Sequence, residues 1–223
     1  MAATLVVDVW SDIACPWCFI GTRRFATGVE RYRAAGGARE VSVRYHSFEL
    51  APDTPVDFAG TEADFLVEHK NLPLPQVRAM LARVSGLAAA EGLHIDFDTV
   101  AHTNTGLAHE LLQLAGQHGV QEAMAGRLFR AHFSEGRHVG RADELAALAA
   151  EVGLDPGLVH AELVAHTQAQ AVRDDQELAR RHGITSIPFY VIGGRYGVAG
   201  AQDPQLFARA LAQAAAAVPA GAR

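Results

Sequence analysis

Two cysteines stand alone in a chain of 223 residues, Cys15 and Cys18, in the run "SDIACPWCFIG" at 11–21. A disulfide between them closes too short a loop to stabilise the fold much through chain entropy. A zinc centre needs four ligands. No second Cys-x-x-Cys exists, and His160 and His166 lie far along in a helical stretch, so no metal is expected. Covalent haem attachment needs a histidine after the second cysteine, where Phe19 stands. The chemistry that fits the pair is thiol–disulfide exchange: one thiolate attacks a disulfide and its neighbour resolves the mixed intermediate. A second informative run is "GITSIPFYVIGG" at 183–194. Its Pro188 opens an apolar strand although proline cannot donate to a ladder. Read alone, an ordinary trans proline at an edge strand suffices. Read with the cysteine pair, the run points to a cis bond at Ile187–Pro188, with the backbone beside it free to pair with a bound chain.

The flanking patterns place both features. "TLVVDVW" (4–10) reads as a buried strand, and Phe19, Ile20, Phe25 and Val29 recur at helical spacing over 19–35, closed by Gly36-Gly37. Cys15 therefore falls at a helix N-terminus, where unpaired N–H groups and the helix dipole favour a thiolate, with Cys18 one turn inward. Pro16 suits a first helical turn, and Trp17 offers an apolar face beside the sulfur. "REVSVRYHSFEL" alternates Val41, Val43 and Tyr45 with polar residues, a second strand.

The middle of the chain is helical. Thr61 and Asp64 form a capping box, and helices are predicted at 75–91, 104–118, 121–134, 142–152, 156–165 and 167–182, with glycines between them. "HIDFD" at 94–98 reads as an extended connector. Strands at 189–193 and 195–199 then flank a Gly193-Gly194 turn, a helix follows from Pro204, and the tail "VPAGAR" is expected to fray. The fold class is α/β: a discontinuous thioredoxin-like domain (1–60 and 173–223, β-α-β … α-β-β-α) with an all-helical insertion, 61–172, forming a lid.

The composition is 49% hydrophobic and 20% charged, the balance of a globular protein, and the net charge is −6 with no Lys/Arg-rich block, which argues against nucleic acid. The sequence holds no apolar run long enough to span a membrane, and "MAATLVVDVWSD" lacks the basic start of a secretory signal, so no membrane partner and a cytoplasmic location are expected.

The stretches "DVWSDIACPWCFIG", "NTGLAHELLQLA" (104–115), "LFRAHFSEG" (128–136) and "GITSIPFYVIGGRYGVAGAQ" (183–202) together resemble the DsbA-like branch of the thioredoxin superfamily, and within it the FrnE-like group. That resemblance implies Cys15 as attacking and Cys18 as resolving thiol, a cis Pro188, and a substrate contacted by Pro16, Trp17, Ser186, Ile187 and Pro188. The substrate would be a protein disulfide or a low-molecular-weight thiol. By the same similarity Asn104 and Gln202 line a cleft, against the local alternative of capping and turn formation. No cofactor is implied beyond glutathione as a co-substrate. Related glutathione-dependent isomerases and transferases, the 2-hydroxychromene-2-carboxylate isomerases and the kappa class, lack the paired cysteines. A glutathione-linked enzyme acting on a small aromatic compound is thus the second reading, and a non-catalytic binding module the third. Asp8 in the first strand and Asp12 after it compete as an acid serving the inner thiol, and His109 reads as a hydrogen-bonded core histidine. A homodimer through the second strand or the lid is a further expectation.

Overall fold

In the computed structural model, residues 4–217 are described; the tail expectation at 218–223 lies outside them. The chain begins with strand β1 (Leu5–Ser11), helix α1 (Pro16–Ala34) and strand β2 (Val41–Ser47). Seven helices follow: α2 (Glu62–Lys70), α3 (Leu74–Ala90), α4 (Gly106–Gln117), α5 (Gln121–Ser134), α6 (Ala142–Ala150), α7 (Pro156–Val164) and α8 (Ala169–Arg181). A hairpin of β3 (Phe189–Ile192) and β4 (Tyr196–Ala199) and helix α9 (Pro204–Ala217) complete it. The 94–98 connector is irregular, and both halves of the Thr61–Asp64 capping box form. The mixed four-stranded sheet has the order β2-β1-β3-β4, with β1 parallel to β2 and antiparallel to β3. With the helical run set aside, this is the β-α-β … α-β-β-α order of a thioredoxin-like domain, as the sequence predicts.

β1 is an inner strand, paired on both edges, which explains its near-continuous apolar run. Leu5, Val7 and Val9 enter the main core, while Trp10 packs with Ala179 and Ile184 in a second cluster on the opposite face. The two Gly at 193 and 194 take φ of +61° and +64°, the left-handed values a tight hairpin turn requires and a side chain resists. An aromatic trio ties β3 to the helices: Phe25 and Tyr190 stack at 5.3 Å, and Phe207 meets both edge-on. The outer edge of β2 is occupied at Tyr45, whose N–H donates to the Gln121 side chain (2.9 Å) while the Gln121 amide donates back to the Tyr45 carbonyl (3.1 Å).

Strand register brings the two distant motifs together. Trp10 lies opposite Phe189 in the antiparallel pair, so the residues just beyond them, Ser11 toward the cysteines and Pro188 before β3, arrive at the same end of the sheet.

Candidate active site

Cys15 is the N-cap of α1, with extended backbone (φ −93°, ψ 109°) and Pro16 in the first turn. Its N–H donates to the Asp12 carbonyl (3.1 Å), and its own carbonyl accepts from Cys18 N–H (3.0 Å) and Phe19 N–H (3.3 Å). This turn places both free thiols at the start of the helix. Cys18 is 1% exposed and Cys15 4%, and of the two it is Cys15 that lines a cavity. Burial pushes the Cys18 thiol well up, reinforced by its hydrogen bond to Cys15 and by the charge there; the Ser11 hydroxyl and the Asp12 backbone pull weakly the other way. Cys18 is therefore held toward its thiol form, and Cys15 is the one that lines the cavity.

The Ile187–Pro188 bond is cis. Pro188 packs on α1 beside Gly21, three residues past Cys18. A Cβ at 21 would stand 2.9 Å from Pro188 Cγ and 2.8 Å from the Tyr190 hydroxyl, so glycine is what permits the approach. Ser186 is exposed and Ile187 half-buried on the loop leading to that proline.

Asp12, not Asp8, lies at this end of the sheet. Asp8 faces the other way, 2.9 Å from His46, which in turn meets Asp175 at 2.5 Å and stacks on Trp10. Strand alternation explains the difference: Asp8 shares a face with Trp10, whereas Asp12 lies beyond the strand, in the turn to Cys15. The buried Asp12 carboxylate accepts from Ala14 N–H (3.2 Å) and Leu50 N–H (2.8 Å), and His109 Nε2 lies 3.3 Å away. Burial raises its pKa, but His109, Leu50 and Thr105 outweigh that and hold the carboxyl below its ordinary value. His109 is thus a hydrogen-bonded buried residue.

The cavity of about 520 Å³ runs from Cys15, Pro16 and Trp17 to α2 and α3. Trp17 is 41% exposed at its rim. Its walls are largely apolar, with Phe65, Leu66, Leu81, Val84 and Phe97, and its polar lining includes Glu62, His69, Lys70, Arg83 and His102. Glu62 and His102 form a buried pair (2.6 Å), on which Phe65 stacks. Neither Asn104 nor Gln202 is among the lining residues. Asn104 accepts from Gly106 N–H (2.8 Å) at the start of α4 and donates to the Pro52 carbonyl, while its neighbours Thr103 and Thr105 face the cavity. Gln202 donates to the Ala199 carbonyl (2.7 Å) in the turn before α9. Ser186, Ile187 and Pro188 are likewise outside the cavity wall. Ser11, Glu62 and His102 carry no site signal in the sequence, although Glu62 lies between Thr61 and Asp64 of the capping box.

Among the described residues no group of three or more His, Cys, Asp or Glu could hold a metal ion, and no helix is long and apolar enough to cross a membrane.

The model of the DSBA-like thioredoxin domain family matches residues 6–212. A probable DsbA oxidoreductase from Streptomyces coelicolor is 34% identical and superposes with a TM-score of 0.87, covering 96% of this chain and 92% of that one. YwbO of Bacillus subtilis (strain 168) is 28% identical over 93% of this chain and 96% of its own length. A 2-hydroxychromene-2-carboxylate isomerase, at 16% identity, shares the fold with a TM-score of 0.69 over 93% of this chain and 94% of its own.

Proposed function

Because this chain belongs to the DSBA-like thioredoxin domain family, we propose that it is a thiol–disulfide oxidoreductase working through Cys15 and Cys18. The observation that carries the reading is the pair's placement: Cys15 caps α1 and lines the cavity, and Cys18 is buried one turn behind it and held toward its thiol form. In the reducing direction the Cys15 thiolate attacks one sulfur of a substrate disulfide. The substrate S–S bond breaks, its electron pair leaves on the second sulfur as thiolate, and a Cys15–substrate disulfide forms. Cys18, once deprotonated, attacks Cys15 and expels the first substrate sulfur. The protein ends as a Cys15–Cys18 disulfide, and two electrons and two protons have passed to the substrate thiols. The oxidising direction is the reverse.

Further parts of the proposal rest on placement. The backbone at Ile187–Pro188, brought to the same sheet end by register, receives an extended substrate chain beside the cysteines. Residues 61–172 act as the helical lid over 1–60 and 173–223, and the protein works in the cytoplasm without a resident cofactor, its electrons coming from thiol partners. The test is reduction of insulin by dithiothreitol with the chain as catalyst: Cys15→Ser abolishes turnover, and Cys18→Ser arrests it as mixed disulfide. Full activity of Cys15→Ser contradicts the assignment.

A further inference from the structure

Charge is distributed unevenly around the cavity beside Cys15. Its two lining carboxylates are both occupied: Asp12 by Leu50 N–H, Ala14 N–H and His109, and Glu62 by His102. Its two lining cations are not. Lys70, at the end of α2, and Arg83, in α3, make no ion pair or hydrogen bond with any described residue. Arg24, Arg127, Arg137, Arg141 and Arg180 each find a carboxylate, whereas Lys70 and Arg83 line the cavity without one. The same wall carries the apolar side chains of Leu66, Leu81, Val84 and Phe97, and the Phe65 ring stacked on His102. A volume of about 520 Å³ is in the range of small-molecule sites and too small for a folded protein partner.

We propose that this cavity binds a small organic disulfide with an apolar, ring-sized body and a carboxylate, the carboxylate held by Lys70 and Arg83 and the disulfide presented to Cys15. The inference rests on the redox reading of the cysteine pair and names a substrate class for it. Arg83 can take a carboxylate in bidentate fashion, while Lys70 acts as a point charge. The chemistry is balanced by the pair alone. One substrate thiolate departs when Cys15 attacks, the second when Cys18 closes on Cys15, and the dithiol supplies both electrons.

The test uses a matched pair of probes, 4,4′-dithiodibenzoic acid and its neutral bis-amide, reduced by the full chain with dithiothreitol recycling the Cys15–Cys18 disulfide and the uncatalysed rate subtracted. The carboxylate probe is expected to have a kcat/KM about 10-fold above the amide, a preference arising in KM with kcat shared and weakening with added salt. In the double variant Lys70→Met, Arg83→Met the ratio falls to about 1, and in Arg83→Glu it inverts. Both positions are exposed, so these changes spare the core. A ratio near 1 in the native chain, or a preference that survives the double variant, overturns the proposal. So does glutathione disulfide outcompeting the aryl carboxylate with no dependence on Lys70 or Arg83. If no disulfide is reduced at all, the redox reading has failed. Calorimetric binding of 4-mercaptobenzoate against 4-mercaptobenzamide to the Cys15→Ser chain then decides the cavity's preference by itself, with equal affinities counting against it.

Discussion

His109 Nε2 stands 3.3 Å from Asp12 Oδ1, and both side chains are buried behind the turn that delivers Cys15. Burial opposes a charged Asp12, and His109 is the largest influence that overcomes it, ahead of Leu50 N–H. His109→Leu therefore leaves a buried carboxylate short of a partner and costs about 1–3 kcal/mol. Because Asp12 is held below its ordinary value, its contribution is full above that value and is lost as pH falls through the folded pKa. The variant should unfold at a higher pH on acidification. Urea titrations across pH 3–6 check this, and an unchanged acid limb contradicts it.

Two histidines, half-buried His46 and buried His132, shape the rest of the pH profile in opposite senses. Burial works against charge at His46, but Asp175 and Asp8 outweigh it and raise its pKa to about 9. The folded state then holds a proton the unfolded chain gives up, so this contribution is full below about 6.5 and is lost as pH rises through about 9. His132 has no hydrogen-bond partner at either ring nitrogen, and burial presses its pKa down to about 4. There the unfolded chain binds the extra proton, so stability falls as pH drops from about 6.5 toward 4. Each limb is on the order of 3 kcal/mol. Asp175→Asn should flatten the alkaline limb and His132→Phe the acid one, read as urea midpoints against pH.

Gly21 is expected to tolerate no side chain. A Cβ there collides with Pro188 Cγ at 2.9 Å and the Tyr190 hydroxyl at 2.8 Å. Gly21→Ala gains about 1 kcal/mol in helix propensity. Pushing Pro188 and Tyr190 off α1 costs about 1–3 kcal/mol, so the net effect is destabilising. The loop before β3 should also shift relative to Cys18. Melting temperature and insulin turnover falling together check this; a more stable, fully active variant refutes it.

Local signals in the sequence carry the elements and the redox pair. The apolar run of β1, the helical spacing after Cys18 and the Gly-Gly turn each report on their own few residues, and the fold follows from their order. Side-chain partnerships across the chain are different. Asp8 and Asp12 are equally acidic in sequence, and only the strand's alternation and its end at Ser11 separate the one facing His46 from the one facing His109. Glu62 and His102 stand 40 residues apart and meet because α2 and the connector before α4 converge, which no spacing encodes. Similarity points to Asn104, yet its amide is taken up by Gly106 N–H and by the Pro52 carbonyl 52 residues away, and Thr103 and Thr105 face the cavity instead.

The central claim is that Cys15 attacks and Cys18 resolves, and the most direct measurement is the mass of the trapped intermediate. Cys18→Ser, incubated with a disulfide substrate under non-reducing conditions, digested and mapped, should carry one substrate half as a mixed disulfide on Cys15. Cys15→Ser should carry none on the buried Cys18. An adduct on Cys18 in Cys15→Ser, or none on Cys15 in Cys18→Ser, would contradict the account.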